Sequence, residues 1–450
     1  KFEKDFPKAK IIKLERNYRS TTPILEAASL LINNNNLRHS KKLWTDQPQG
    51  DKIKVIKCFN DREEAKLITI EIKNLLKQNK LIDTIAVLVR TTFQTRIIED
   101  EFIASNISYR IIGGMKFYER AEIKDVIAYI RLTMHHRDNL AFERIINVPK
   151  RGFGRVALNS IREFAGQNAY SLFDALKAML EQNLIKPSLK KTSQDLINNI
   201  ICYSERFANS TDIYKDLKDF LHGIGYIPML KDHKTEEAKS KLDNIYEMLK
   251  AITEYESLVS FIEHILLVAD QANSSEIKHT IYLMTLHASK GLEFDAVFMP
   301  GLEEGIFPHQ RTIDESGAKG IEEERRIAYV GITRAKQMLY ILHSESRRVF
   351  GDFNYSTPSR FLSELPEKHI ERYSAHSFLR AIDALNNPQS IMPKISNSST
   401  KIRDAFALGN KIHHKVFGSG IIIRKNNDIY EIAFDEISIK KIKKAIIEVN

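Results

Sequence analysis

The feature that most constrains this chain is an α/β pattern that stops, gives way to helices alone, and then starts again. Near the beginning, "IKVIKCF" (53–59) and "TIAVLVRT" (84–91) are short apolar runs on either side of the helical pattern "DREEAKLITIEIKNLLKQ" (61–78). Near-continuous apolar runs of this length read as strands buried on both faces, and their alternation with helices implies parallel βαβ units. From about Gly113 to Ile277 strand signals fade. Segments such as "RAEIKDVIAYIRLTM", "NLAFERIIN" and "EAKSKLDNIYEMLKAITEYESLVSFIEHILLVA" instead repeat apolar residues at three-and-four spacing. Strand-like runs then return in "TIYLMTL" (280–286), "AVFMPG" (296–301) and "QMLYILHS" (337–344). One α/β domain interrupted by a helical domain explains this more economically than three separate folds. The expected boundaries are 1–112 and 278–375 for the discontinuous α/β domain and 113–277 for the insertion.

Residues 376–405 include "NNPQSIMPKISNSST", a composition typical of a flexible linker. Beyond it, residues 406–450 read as short strands broken by Gly-Ser-Gly and Asn-Asn-Asp turns, which suggests a small β-barrel of SH3 or Tudor type. The formal charge of +10 favours a polyanionic partner, nucleic acid before a membrane surface. No run approaches the roughly 18 apolar residues of a membrane span, so no membrane partner is expected. The 2 cysteines are too few and too far apart for a disulfide framework or a Cys-rich metal site, and a reducing cytoplasm is the simple expectation. The charged start without a Met gives the expectation of a piece of something longer.

Three stretches carry chemistry. In "LERNYRSTTPILEAA" (14–28), Tyr18 and Arg19 precede a helix start marked by Ser20, Thr21 or Thr22 with Pro23. Alone, the pair reads as a core aromatic and a surface ion-pair partner. Its functional reading is an aromatic face for a nucleobase beside a guanidinium for phosphate. In "MTLHASKGLEFDAVFMPGLEEGIFPH" (284–309), Thr285, His287, Ser289 and Lys290 share a strand-to-helix turn, and Gly291 permits close backbone approach. In "IEEERRIAYVGITRAK" (321–336), the Glu-Arg run reads as a solvated helix start held by near-neighbour ion pairs, with Arg334 near the end of the helix.

Taken in order, "NYRS", "TLHASKGLEF" and "EEERRIAYVGITRA" resemble motifs IV, V and VI of the UvrD/PcrA/Rep family of superfamily 1 DNA helicases. "YRIIGGMKFYERAEIKDVIAYIRL" (109–132), "INVPKRGFG" (146–154) and "LEEGIFPH" extend the resemblance over nearly the whole chain. It implies a RecA-like second motor domain with a helical insertion and a Tudor-like C-terminal module. It also implies ATP with Mg2+ as the cofactor, single-stranded and duplex DNA as partners, and 3′ to 5′ translocation in bacterial repair and replication. Matched to motifs IV and VI, Tyr18 stacks on adenine while Arg19 and Arg334 meet the γ-phosphate. Glu293 hydrogen-bonds the ribose. Gln94, Arg96, Thr285, His287 and His309 lie on the single-stranded DNA track. Lys150, Arg151, Gly152 and Gly154 grip duplex backbone.

The chain departs from the family pattern in places: "VRTTFQTR" (89–96) usually reads "YRTNAQSR", so that Thr92 replaces an asparagine and Phe93 an alanine, and Arg16 stands where motif IV usually has glutamine. No Gly-x4-Gly-Lys-Ser/Thr phosphate loop occurs in the 450 residues, nor the family's Asp-Glu pair for magnesium. The expected Mg2+ ligands and the floor of the ATP site therefore belong to an N-terminal motor domain, a further expected partner, and the chain alone is expected to be inactive. Repair proteins or RNA polymerase are expected partners of the barrel. Two other readings stay open here: a non-catalytic DNA- or protein-docking module, and the nuclease-helicase branch of the superfamily.

Overall fold

The computed structural model describes residues 15–36, 44–47, 49–78, 82–271, 280–349 and 352–386, together with four strands after residue 410. They divide into two compact units, Lys1–Asn386 and Asn387–Asn450.

The first unit is built on an eight-stranded sheet. Its strands are β3 (Ile53–Asn60), β4 (Thr84–Val89), β5 (Tyr109–Ile112), β6 (Thr280–Thr285), β7 (Phe294–Met299), β8 (Ala335–Val349), β9 (Asp352–Tyr355) and β10 (Ile370–Ser374). A separate short parallel pair, β1 (Arg16–Asn17) with β2 (Trp44–Thr45), precedes them. The sheet order is β10-β3-β8-β7-β4-β6-β5, every neighbour parallel, with β9 antiparallel on β8. The expected parallel α/β sheet is present, with strands close to those read from the sequence. The edge strands β5 and β10, the hairpin strand β9 and the β1–β2 pair were not anticipated.

Alternate residues of each strand feed two cores, which is why the runs are apolar throughout. Val55, Leu88, Val297 and Ile341 pack on one face with Ile24, Leu31 and Ile327 from helices α1 (Thr22–Asn33) and α13 (Gln310–Ile332). Ile56, Val87, Phe298 and Tyr340 pack on the other with Ile68, Phe102 and Phe378. These come from α2 (Asp61–Lys77), α3 (Thr95–Ala104) and α14 (Ala375–Asn386). Helix α14 corrects the expected linker start at 376. Phe378 and Ile382 are one turn apart and are buried against the sheet, a signal masked by the Asn- and Pro-rich stretch that follows. The remainder of that linker lies outside the described residues.

Strands β5 and β6 are neighbours, paired Tyr109↔Ile281, although about 170 residues separate them. Between them run nine helices among the described residues, from α4 (Ala121–Met134) to α12 (Leu258–Gln271). These share a third core that includes Tyr129, Phe142, Phe173, Leu217, Phe220 and Met248. Asp138, Ser171, Asp212 and Thr235 cap four of these helices through their side chains, closing free backbone N–H groups. The second unit contains β11 (Lys411–His414), β12 (Gly418–Asn426), β13 (Ile429–Phe434) and β14 (Lys440–Lys443) as an antiparallel meander. Gly418-Ser419-Gly420 is part of β12, paired with β11, and not the turn expected there.

Candidate functional site

The predicted residues gather at opposite ends of the parallel sheet. At the amino ends of β7 and β8, the chain brings together positions 18–20, 293 and 333–336. Asn17 Oδ1 accepts from the backbone N–H groups of Arg19 and Ser20, each at 2.9 Å. Ser20 Oγ donates to the Ala335 carbonyl at 2.7 Å. These bonds tie the turn to the start of β8. The expected hydroxyl cap on α1 is absent: Thr21 is the N-cap residue, but its side chain does not bond the helix.

Arg19 Nε donates to Glu293 Oε2 at 2.7 Å, and Lys336 Nζ stands 3.3 Å from the other carboxylate oxygen. Arg334 follows α13 in the turn into β8. Its guanidinium donates to the carbonyls of Val330 (3.0 Å) and Leu292 (2.7 Å) and to the Thr333 hydroxyl (3.4 Å). Burial and the neighbouring Arg19 cation lower its pKa. Tyr18 is 69% exposed. The Arg16 guanidinium lies 4.6 Å from its ring centroid and 5.4 Å from that of Trp44. Sequence reasoning missed Trp44, because only the β1–β2 pairing brings it beside Arg16.

At the carboxyl ends of β4, β6 and β7 lies a cleft lined by Arg90, Thr91, Thr92, Phe93, Thr285, His287, His309 and Arg311, with Glu236, Ser240 and Asp243 opposite. Crevices at this end of an open parallel sheet are the usual ligand sites of such folds. Thr285 Oγ accepts from the Ala288 N–H at 3.3 Å and shapes the turn that presents His287. Burial and the Arg90 cation lower the pKa of both His287 and His309, favouring neutral rings that can accept as well as donate.

Two residues assigned to this track face the interior instead. Gln94 is 6% exposed, and its Oε1 accepts from the backbone N–H groups of Arg90 and Thr91 at 3.0 and 2.9 Å. It therefore closes a turn rather than meeting a strand. Arg96 is 1% exposed, donating to Asp100 and to Glu247 of α11 (Glu236–Ile252), each at 2.8 Å. Its charge is spent joining the sheet domain to the helical block.

The loop "KRGFG" divides in the same way. Lys150 is exposed, but Arg151 donates to the carbonyls of Ile145 and Ile224 (2.9 and 3.0 Å) and to the Tyr129 hydroxyl (2.8 Å). It braces the loop and does not supply the counter-charge expected of it. Gly152 has φ +85°, and an added Cβ would meet Leu189 at 3.0 Å. Gly154 caps α6 (Arg155–Asn168), and nothing lies within 4 Å of where its Cβ would be.

Helix α13 is kinked at Gly317, and the run of Glu322 to Arg326 sits near the start of its second segment, as expected, but only part of it is solvated. Arg326 pairs with Glu322 and Glu323 on the same helix, as expected. Glu324 is fully buried and receives both Arg90 Nε (2.8 Å) and Nη2 (2.6 Å), together with the His309 N–H (3.1 Å). Arg325 binds Glu364 in bidentate fashion at 2.7 and 2.8 Å. From Glu324 to the helix end at Ile332, just before Arg334, is eight residues, roughly 12 Å of helix rise. One helix therefore touches the cleft at the carboxyl ends and the cation cluster at the amino ends.

The sequence of residues 12–346 matches the model of the UvrD-like helicase C-terminal domain. The chain belongs to that family. It is 52% identical over 381 residues to DNA helicase II of Rickettsia typhi, covering 83% of this chain and 57% of that protein. A probable DNA helicase II homolog of Rickettsia conorii is 53% identical over 381 residues, covering 83% and 58%. The ATP-dependent DNA helicase PcrA of Staphylococcus aureus is 38% identical over 462 residues, covering 97% of this chain and 61% of that protein. The chain thus spans about three fifths of the length of the curated relatives it matches. In this chain, the carboxyl-end cleft and the amino-end cluster are the two regions where residues of the three quoted stretches converge.

Proposed function

We propose that this chain is the part of an ATP-dependent DNA helicase that clamps the outer side of the nucleotide and carries the strand, moving 3′ to 5′ in DNA repair and replication. The observation that carries the reading is the convergence of Arg19 and Arg334. Three cations (Arg19, Arg334 and Lys336) meet two carboxylates (Glu293 and Asp295), and Arg334 hydrogen-bonds only neutral groups. A cluster short of negative charge, with two guanidiniums side by side, suits a triphosphate.

In this reading Tyr18 stacks on adenine, and Glu293 turns from Arg19 to the ribose when phosphate takes over the guanidinium. The residues fit the phosphate end of ATP. In this reading magnesium falls to the motor domain that supplies the phosphate loop. ATP supplies the phosphoryl group whose transfer the two arginines stabilise, so hydrolysis depends on closure of two domains. Helix α13 then links closure to the carboxyl-end cleft, where Arg90, Thr285, His287 and His309 hold single-stranded DNA. Lys150 and the bare N-terminus of α6 at Gly154 grip duplex phosphate. The second unit, read as a Tudor-like barrel, docks repair proteins or RNA polymerase, and the whole works in the bacterial cytoplasm at the nucleoid. The chain alone is not expected to hydrolyse ATP.

The test is single-turnover ATP hydrolysis with the N-terminal motor domain supplied in trans. Arg334→Ala should slow hydrolysis by about 10³-fold, the lower end for an arginine finger. An unchanged rate would remove Arg334 from the phosphate site.

A further inference from the structure

The carboxyl-end cleft does not end at Thr92. Phe93 and Asp243 line it and also line a second, more apolar cleft formed with Ile97, Tyr246, Ile306 and Tyr355. A single face of α11 walls both, with Glu236, Ser240 and Asp243 along the first and Asp243, Tyr246, Glu247 and Lys250 along the second. Phe93 and Asp243 therefore form the sill between the two.

Among the described residues Asp243 has no hydrogen-bond partner. It meets Arg311 and Glu236 only at longer range, and burial raises its pKa. This partly exposed carboxylate is free to accept a hydrogen bond in the cleft, and an ionised phosphate has none to give. A nucleobase can, because cytosine, adenine and guanine carry exocyclic N–H donors. Thymine carries none, and its ring N–H is flanked by two carbonyls that oppose a carboxylate. Beside Asp243 stands the partly buried Phe93 ring, and Arg90 and Arg311 line the same cleft, paired with Glu324 and Glu236.

We propose that Phe93 and Asp243 form a nucleobase site, in which one base of the bound single strand stacks on the Phe93 ring and donates its exocyclic amino group to the Asp243 carboxylate. The inference rests on the reading of this cleft as a strand track. It goes beyond that reading by giving the track a base preference. Phe93 is also where the chain departs from the alanine usual at this position.

The test is fluorescence anisotropy of the full chain with oligo-dC, oligo-dA and oligo-dT of equal length, between 50 and 200 mM salt. Phe93→Ala should weaken all three by about tenfold with no change in salt slope, and Phe93→Trp should restore binding. Asp243→Asn should lower the dC:dT and dA:dT affinity ratios by about fivefold, since an amide can also serve the thymine carbonyl. Salt-dependent binding with ratios unchanged in Asp243→Asn, or affinity unchanged in Phe93→Ala, overturns the base site alone. No salt-dependent binding by folded wild-type chain overturns the strand-track reading, and the base site with it.

Discussion

In an Arg96→Ala variant the carboxylates of Asp100 and Glu247 lose a cation at 2.8 Å each, and Glu254 loses one at 3.8 Å. Removing one partner from a buried ion pair costs about 3–5 kcal/mol, because the other charge stays desolvated. Two of the orphaned groups keep other cations. Lys250 is 3.8 Å from Glu247, and Arg62 pairs with Glu254. The lower end of the range, about 3 kcal/mol, is therefore expected. For a unit of this size that is roughly a 3–5 °C fall in melting temperature, measurable by scanning calorimetry. Combining Arg96→Ala with Glu247→Gln should cost less than the sum of the single changes by about 1–3 kcal/mol. Single-strand binding provides the control: the slope of log affinity against log salt should match wild type, since a buried guanidinium neutralises no phosphate. A melting temperature within a degree of wild type, with the slope reduced by about 0.7, would make Arg96 a phosphate contact and refute the burial argument.

The two glycines of the insertion loop should separate folding from binding. Gly152→Ala, at φ +85° with Leu189 at 3.0 Å, should destabilise the helical block by about 1–2 kcal/mol in urea titrations. Gly154→Ala, whose Cβ would enter open space, should leave stability unchanged and weaken duplex binding severalfold. Stability should also respond to pH through Glu99, which accepts from the Tyr109 hydroxyl and the Phe117 N–H. Burial pushes it from the ordinary 4.5 up to about 7. The folded state therefore holds its proton more tightly than the unfolded chain, and stability falls as pH rises from about 4.5 to about 7, by on the order of 3 kcal/mol, and levels off above. Glu99→Gln should flatten the slope by that amount, leaving the part due to Glu64, which burial also raises to about 7, as read from urea midpoints at pH 5 and pH 8.

The strands read from the sequence were legible because each is a run of six to eight residues whose apolar character is local, and burial on both faces made the runs continuous. The candidate residues were legible as an order of motifs. Tyr18, Arg19, Glu293 and Arg334 do converge at the amino ends, and Thr285, His287 and His309 share the carboxyl-end cleft. What misled was charge. Arg96, Arg151, Glu324 and Arg325 look like surface residues in a one-dimensional reading, yet all four are withdrawn from solvent and satisfied inside the protein.

Helix periodicity says which side of an element is apolar, such as the side of α13 that buries Ile327 and Ala328. It says nothing about a polar residue whose partner is distant in the chain. Arg90 meets Glu324 across 234 positions, Arg96 meets Glu247 across 151, and Arg325 meets Asn35 across 290. By itself the sequence determined the α/β pattern, its helical interruption and the family motifs, all of which are written in neighbouring residues. Only the tertiary structure decided which arginines remain available to an anion. Burying a charge is tolerable only when its counter-charge is brought to within hydrogen-bond distance, and chain topology, not local sequence, brings it there.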